Sequence, residues 1–201
     1  MGSGALIPAW TELAGAALGL LNIVLLVRRS VWNFPAAMAM VSLIGVTLFQ
    51  ARLYAETGLQ VFFFVVNAWG WYLWIAARGA NAGAAGNPDD RKVPVGWMTD
   101  RARFVWAAIT AALSLSLGWL LHRFTNAALP FADSAIAGAS VTAQILLSLR
   151  RIENWVLWIA IDVLAVMLYI NRGLYFLAAL YVVLGVMSVL GLREWRKVAT
   201  R

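Results

Sequence analysis

The residues of this chain best suited to chemistry are an aspartate and several aromatic side chains inside apolar segments. Asp162 lies in the middle of a run of about 20 mostly apolar residues, the length that crosses a bilayer as a helix. At about 100° per residue, one face of that helix carries Trp155, Trp158, Asp162 and Tyr169. An ionisable residue at such depth is costly and indicates a functional site.

A second apolar segment carries a similar stripe that combines amides with indoles. Its members fall within about 60° of one another on a helix: Gln60, Asn67, Trp71 and Trp74. Tryptophan faces stack on planar rings and attract cationic rings more strongly, while amides hydrogen-bond to hydroxyl groups. The two stripes predict a binding site for a small, uncharged or weakly charged molecule with an aromatic ring and hydroxyls.

The same residues argue against several other functions. The chain has no cysteine and a single histidine, His122, which excludes disulfides, thiol catalysis and histidine-cluster metal sites. Neither a nucleophile with a base nor a phosphate-binding G-x4-G-K-[ST] loop occurs, so we expect no enzyme and no cofactor. A channel would show rings of charge or a hydrophobic gate. A purely structural membrane protein remains a rival, because packing also explains small residues and repeats.

Two roles stay open for Asp162, and several tryptophans have alternative interpretations. Asp162 is either a hydrogen-bonded structural group or a proton carrier, and its lack of a second acid at similar depth favours the first. Trp158 and Asn67 line a pocket or pack between helices, and Gln60 lies nearer the outside, where it could cap or gate. Interfacial anchoring is expected for the tryptophans near segment ends, which are Trp10, Trp32, Trp74 and Trp195.

Composition identifies the elements that must position these residues. Hydrophobic residues make up 63% of the 201 residues and charged residues only 12%, which predicts an all-α integral membrane protein. Segments of about 20 apolar residues are needed to span the bilayer. Seven are found, at residues 8–27, 31–49, 58–77, 104–121, 132–149, 154–170 and 173–192.

Charge placement orients these seven spans in the lipid bilayer. Thirteen of the 16 Lys and Arg residues fall on one side, whereas Arg52, Arg123 and Arg172 fall on the other. The positive-inside rule therefore predicts an external amino terminus and a cytoplasmic carboxyl terminus. The same rule accounts for the net charge of +7, because the surplus of Lys and Arg lies in cytoplasmic loops. No nucleic-acid partner is therefore expected.

An internal repeat predicts how the spans are arranged. Tyr54, Gly58, Leu59 and Gly70 recur as Tyr169, Gly173, Leu174 and Gly185 at a constant shift of 115 residues (54 to 169). Two parallel three-helix units with one linker helix between them, a 3+1+3 arrangement, would hold a substrate near the midplane between the units. This shift aligns Gln60 and Asn67 with Tyr175 and Val182, so we expect a pocket that is lopsided toward spans 3 and 6.

These boundaries give a predicted domain organisation for the chain. The segments are a first repeat at 1–77, a cytoplasmic loop at 78–103, a linker helix at 104–122, a second repeat at 132–192 and a cytoplasmic tail at 193–201.

Several ordered strings resemble the PnuC-type nicotinamide riboside transporters. In the first half they are Val31–Pro35, Leu53–Val61 and Trp69–Trp74. In the second half they are Asn154-Trp155-x2-Trp158-x3-Asp162, Gly173–Tyr175 and Arg193–Trp195. The resemblance covers most of residues 30–78 and 150–197.

This resemblance implies a fold, a mechanism and a set of substrate contacts. Members of that family are seven-span, SWEET-like facilitators of the bacterial inner membrane that import uncharged or unphosphorylated vitamin precursors, which a cytoplasmic kinase then traps. A homo-oligomer such as a trimer is also implied. Nicotinamide riboside is the expected substrate, with riboflavin or thiamine as alternatives and proton coupling through Asp162 as a further one. The implied substrate-binding residues are Trp155, Trp158, Asp162, Asn67, Gln60, Trp71, Asn154 and Tyr169.

Overall fold

The computed structural model describes residues 9–50, 52, 54–82, 93–125 and 129–199, and these residues form seven helices without a β-sheet. In chain order the helices are α1 (Ala9–Val27), α2 (Asn33–Gln50), α3 (Tyr54–Ala82), α4 (Asp100–Phe124), α5 (Pro130–Ser148), α6 (Glu153–Asn171) and α7 (Tyr175–Ala199).

Six of the seven helices, α2 to α7, are long and apolar enough to cross a membrane. The remaining helix, α1, contains a shorter apolar stretch, Leu13–Val27. Many large apolar side chains on these helices are exposed, as expected for surfaces that face lipid rather than water. The prediction of an all-α integral membrane protein with seven helices is therefore confirmed.

Several helices extend beyond the apolar spans that the sequence indicates. Helix α3 continues to Ala82 and α4 already begins at Asp100, where the Thr99 side chain accepts a hydrogen bond from the Ala102 N–H. Helix α7 runs to Ala199, so the predicted tail from residue 193 is helical over its described part. Hydrophobicity locates only the part of a helix that lies in hydrocarbon, and charged side chains can continue the same helix into water. Residues 83–92 of the predicted loop, including Arg91 and Lys92, and Arg201 lie outside the described residues.

The chain divides into two compact units, Met1–Pro94 and Val95–Arg201. In the first unit α2 packs against both α1 and α3. In the second unit α6 packs against both α5 and α7, and α4 packs against α5. Helices α1–α3 and α5–α7 thus share one packing order, with the middle helix in contact with the other two.

These two helix triplets match at an offset of 121 residues, not at the predicted 115. Helices α1 and α5 end at residues 27 and 148. Aromatic pairs follow the same offset: Phe34 meets Trp74 edge to face at 5.1 Å between ring centroids, and Trp155 meets Trp195 at 5.4 Å. The duplication is therefore real, but the Tyr-x3-Gly-Leu match is the wrong register.

The structure shows why that motif misled. Gly58 lies inside α3, whereas Gly173 lies in the turn between α6 and α7, where its φ of 72° suits glycine. The position that matches Gly173 at the offset of 121 is Arg52, which has a φ of 61° in the turn between α2 and α3. Conformation and not residue type is repeated there, so a search for identical letters could not detect it.

The turn between α5 and α6 is built like the turn between α1 and α2. Arg29 and Arg150, at the same offset, both have a positive φ, of 56° and 61°. Asn33 then donates its side-chain N–H to the Ser30 carbonyl at 2.7 Å, and Asn154 does the same to the Arg151 carbonyl at 2.5 Å. Asparagine at these positions therefore closes the turn that starts the middle helix of each triplet.

The end of the predicted loop docks onto the α5–α6 turn within the second unit. Gly96 donates its N–H to the Arg150 carbonyl and accepts from the Ile152 N–H, both at 3.1 Å. The Glu153 carboxylate accepts from the Met98 N–H at 2.9 Å and from Arg103 at 2.8 Å. These contacts attach the start of α4 to the start of α6.

Candidate functional site

The candidate site of the second unit is a group of polar side chains between α6 and α7. We call it the α6–α7 polar cluster; its members are Asp162, Tyr169, Tyr181 and Ser188. The Ser188 hydroxyl donates to Asp162 Oδ2 at 3.0 Å, and the rings of Tyr169 and Tyr181 lie 5.3 Å apart at an angle of 39°. Asp162 and Ser188 are only 5% and 2% exposed. A carboxylate and a hydroxyl are thus held at the centre of the membrane-spanning segment.

Helical periodicity explains why these four side chains meet. Asp162 and Tyr169 are seven residues apart on α6, and Tyr181 and Ser188 are seven apart on α7, so each pair lies on one helix face. Gly185 lies between the two α7 residues, and a Cβ atom there would be 3.4 Å from the Asp162 Cβ. The glycine lets α7 approach α6 closely enough for the hydroxyl to reach the carboxylate.

Asp162 differs electrostatically from the acidic residues that form ion pairs in the described chain. The ion pairs there all involve helix ends: Arg103 with Asp100 and Glu153, Arg172 with Asp133, and Lys197 with Glu194. Asp162, the tenth of the 19 residues of α6, has the Ser188 hydroxyl as its hydrogen-bond donor and takes part in none of these ion pairs. A buried carboxylate without a cation is unfavourable, and one hydroxyl offsets only part of that cost.

Trp155, an expected ring contact, packs inside the second unit. Its indole is fully buried, meets Trp195 edge to face, and covers Gly191, where a Cβ atom would overlap the ring. Trp195 and its counterpart Trp74 are also fully buried, so the interpretation of both as interfacial anchors is wrong. Their position near span ends was correct, but each ring turns inward to fill the space beside a neighbouring helix.

Trp158 and Asn154, the other predicted residues of α6, have different environments. Trp158 is one helical turn before Asp162 and keeps part of its ring surface exposed. Asn154 is fully buried in the α5–α6 turn through its bond to the Arg151 carbonyl. Of the tryptophans predicted on α6, Trp158 is the one that is not fully buried.

The predicted residues of the first unit lie along α3. Asn67 is buried and donates its side-chain N–H to the Phe63 carbonyl of its own helix at 2.8 Å. Gln60 packs against Gly45 of α2, where a Cβ atom would be 3.3 Å from the Gln60 Cβ. The buried Trp71 Nε1 has no hydrogen-bond partner in the described chain. Such a donor is costly to leave unpaired, so this indole can serve a ligand acceptor.

The offset of 121 residues corrects the comparison between the two halves. It aligns Gln60 with Tyr181 and Asn67 with Ser188, whereas Tyr175 and Val182, the expected counterparts, are exposed. Both halves are therefore polar at these two positions. The expected difference between the halves is therefore wrong at these two positions. The halves do differ at Asp162, which aligns with Val41, so this buried carboxylate occurs in the second half alone.

Sequence reasoning missed Tyr181 and did not include Ser188 among the site residues. A usable signal was present: Asn33, Gly70 and Trp74 recur as Asn154, Gly191 and Trp195, which already define the correct offset. Within the described residues no group of three His, Cys, Asp or Glu side chains could hold a metal ion.

Comparison with known proteins gives this helical site its context. A family model described as "Nicotinamide mononucleotide transporter" matches residues 9–197. The nicotinamide riboside transporter PnuC of Escherichia coli K12 is 31% identical over 211 residues, covering 97% of this chain and 88% of that protein. The riboflavin/roseoflavin transporter RibM of Streptomyces davaonensis is 28% identical over 190 residues, covering 92% of this chain and 84% of that protein.

A solved structure is similar over nearly the whole chain. The crystal structure of the vitamin B3 transporter PnuC superposes with a TM-score of 0.76 at 25% sequence identity. The match covers 96% of this chain and 83% of that one. Fold and sequence comparisons therefore lead to the same family.

Proposed function

The chain belongs to the nicotinamide mononucleotide transporter family, and we propose that it imports nicotinamide riboside across the bacterial inner membrane by facilitated diffusion. It is a Pnu-type transporter for a small vitamin and not an enzyme. The relatives named for nicotinamide riboside support this substrate. The observation that carries the proposal is the α6–α7 polar cluster, which offers hydrogen-bonding groups and aromatic faces deep in an apolar bundle.

We assign the substrate contacts in each unit from the environment of each side chain. In the second unit Trp158 stacks on the nicotinamide ring, and Asp162 and Tyr169 bind its polar groups. In the first unit we propose Asn67, Gln60 and Trp71 as further substrate-binding residues, because amide and indole groups can hydrogen-bond to a ligand. Trp155 and Asn154 act indirectly, because they hold α6 against α7 and close the turn that starts α6.

Downhill transport is supported by the chemistry of the membrane-spanning helices. Proton coupling usually relies on chains of titratable groups, and Asp162 is the only acidic residue away from the helix ends among the described residues. Phosphorylation of the imported riboside in the cytoplasm would prevent its return through the carrier. A proton-coupled mechanism through Asp162 is the alternative.

The arrangement in the membrane is part of the same proposal. The matching triplets α1–α3 and α5–α7, with α4 outside the match, support a 3+1+3 organisation with parallel repeats. Placing most of the Lys and Arg residues in the cytoplasm puts the amino terminus outside. We further propose a homo-oligomer, such as a trimer, in which each chain has its own pathway.

A riboflavin carrier is the second candidate function. The similarity to the riboflavin/roseoflavin transporter extends over 92% of this chain, and riboflavin also combines a planar ring with hydroxyls. Stacking on Trp158 does not discriminate between these rings, so the polar contacts must do so. Thiamine, which also contains a planar heteroaromatic ring, is a third candidate substrate.

Uptake measurements in cells that lack their own carriers test the proposal. Expression of this chain should increase accumulation of labelled nicotinamide riboside, while riboflavin and thiamine compete weakly. Preferential uptake of riboflavin or thiamine would change the substrate. No uptake of any of the three, despite protein in the membrane, would contradict the vitamin-carrier function.

A further inference from the structure

The centre of the second unit contains one carboxyl group that has no basic partner among the described residues. Asp162 is 5% exposed, lies at the middle of α6 and forms no ion pair with the described Lys, Arg and His side chains. Charges at this depth are retained for function, because a neutral residue would cost far less. The described residues supply the Ser188 hydroxyl, which leaves the charge itself for a ligand.

The duplicated scaffold shows that this charge is not required for helix packing. At the matching position of the first triplet is Val41, which is equally buried between the corresponding helices. Asn67, the counterpart of Ser188, donates a hydrogen bond to the Phe63 carbonyl of its own helix. One scaffold thus tolerates an apolar residue where the other holds a carboxylate oriented by a hydroxyl.

The surroundings of Asp162 suit a flat cation. Trp158 lies one turn away on the same helix with part of its ring exposed, and Tyr169 lies two turns away on the other side. A carboxylate with aromatic rings nearby on the same helix can attract a delocalised positive charge through Coulomb and cation–π interactions. The pyridinium ring of nicotinamide riboside carries one positive charge, whereas the riboflavin ring system is neutral.

Building on the proposed transport of nicotinamide riboside, we propose that Asp162 is the counter-ion of the substrate pyridinium and that Ser188 positions its carboxylate. The site then selects cationic over neutral ring systems of similar shape. Only one of the two triplets carries a carboxylate at this position. Each substrate molecule likewise carries one positive charge. Ser188 is a positioning residue that acts through Asp162.

Two forms of the same riboside test this selection. Nicotinamide riboside is cationic, and its 1,4-dihydro form is neutral but keeps the ribose and the carboxamide. Binding of both to the purified full-length protein, measured by calorimetry, should favour the cation by about tenfold or more in the wild type. Asp162→Asn should reduce this preference to about twofold or less, through weaker binding of the cation and retained binding of the neutral form.

A matched control and a second variant separate charge selection from folding. Asp133→Asn removes an acid that pairs with Arg172 at the helix ends, and it should keep the full preference. Ser188→Ala should lower the preference without abolishing binding of the neutral form. A loss of packing alone would weaken both ligands equally and leave their ratio unchanged.

The outcomes distinguish this proposal from the proposed function. Wild-type protein that binds nicotinamide riboside without preferring the cation would overturn the counter-ion role alone, and so would an unchanged preference in Asp162→Asn. If Asp162→Asn does not fold, the counter-ion role is still tested by two measurements. These are the ratio of wild-type affinities for the cationic and the neutral riboside, and the same ratio for Ser188→Ala. Binding of riboflavin with no binding of either riboside form would overturn the proposed substrate itself.

Discussion

At the scale of single residues, the structure separates two tryptophans that look alike in sequence. Trp155 and Trp158 are three positions apart on one helix face, yet Trp155 is fully buried against Trp195 and Gly191, while Trp158 keeps exposed ring surface. Removal of a packed indole leaves a cavity, whereas removal of a ligand-facing indole leaves the fold intact. The two roles therefore predict different kinds of defect.

Replacement of Trp158 with alanine should weaken binding of nicotinamide riboside by about tenfold, the loss expected for one aromatic stacking contact. The melting temperature of the purified protein should change little. Replacement of Trp195 with alanine should instead destabilise the fold by about 3 kcal/mol, because a fully buried indole is lost. Binding titrations and thermal unfolding of both variants give the comparison, and equal loss of affinity at matched stability would contradict the assignment.

At the scale of helices, close approach within the second unit depends on glycines that face a side chain of the neighbouring helix. Gly191 of α7 faces the Trp155 ring of α6, Gly185 faces Asp162, and Gly138 of α5 faces Ser114 of α4. Helix association in a bilayer relies on van der Waals packing, because burial from lipid gives little hydrophobic gain. The positions of these glycines therefore set how α4 to α7 fit together.

Replacement of Gly191 with alanine should lower the stability of the second unit, because the new Cβ would overlap the Trp155 ring. Overpacking of this kind typically costs about 1–3 kcal/mol. Gly79→Ala is the matched control, since a Cβ there meets no atom within 4 Å and alanine favours helix. Thermal unfolding in detergent should show a lower midpoint for Gly191→Ala only, and equal midpoints would show that α7 can shift without cost.

At the scale of the whole molecule, one scaffold is used twice with different chemistry. Helix bounds, turn conformations and an aromatic pair recur at an offset of 121 residues. Asp162 has no acidic equivalent in the first triplet, where Val41 occupies its position. Among the described residues Asp162 is thus the one acid at the middle of a membrane-spanning helix, and the proposed downhill transport makes a prediction about its role.

Transport by the purified protein in liposomes should therefore be independent of a pH gradient when the membrane potential is clamped to zero. Labelled nicotinamide riboside should equilibrate and not exceed its external concentration. With an inside-negative potential the cationic substrate should accumulate, because 100 mV is worth about 2.3 kcal/mol per charge. Accumulation driven by the pH gradient alone would favour proton coupling through Asp162 instead.

Much of this protein is determined by its sequence alone. Long apolar segments have few stable alternatives to membrane-spanning helices, since every backbone polar group must be satisfied inside hydrocarbon. Seven helices and the family both follow from composition, spacing and ordered strings. These features depend on local chemistry, which a linear pattern records.

Two registers of the repeat compete in the sequence, and the tertiary structure decided between them; it alone decided the partners of the side chains. The turns at Arg52 and Gly173 repeat a backbone conformation and not a residue type, so matching letters led to a shift of 115 instead of 121. The hydroxyl of Ser188, 26 residues away, reaches Asp162 because Gly185 lets two helices approach. Likewise, Trp195 is a packing residue because the direction of its ring depends on α6. Contacts between helices depend on how their surfaces fit, and that fit is not encoded at any single position.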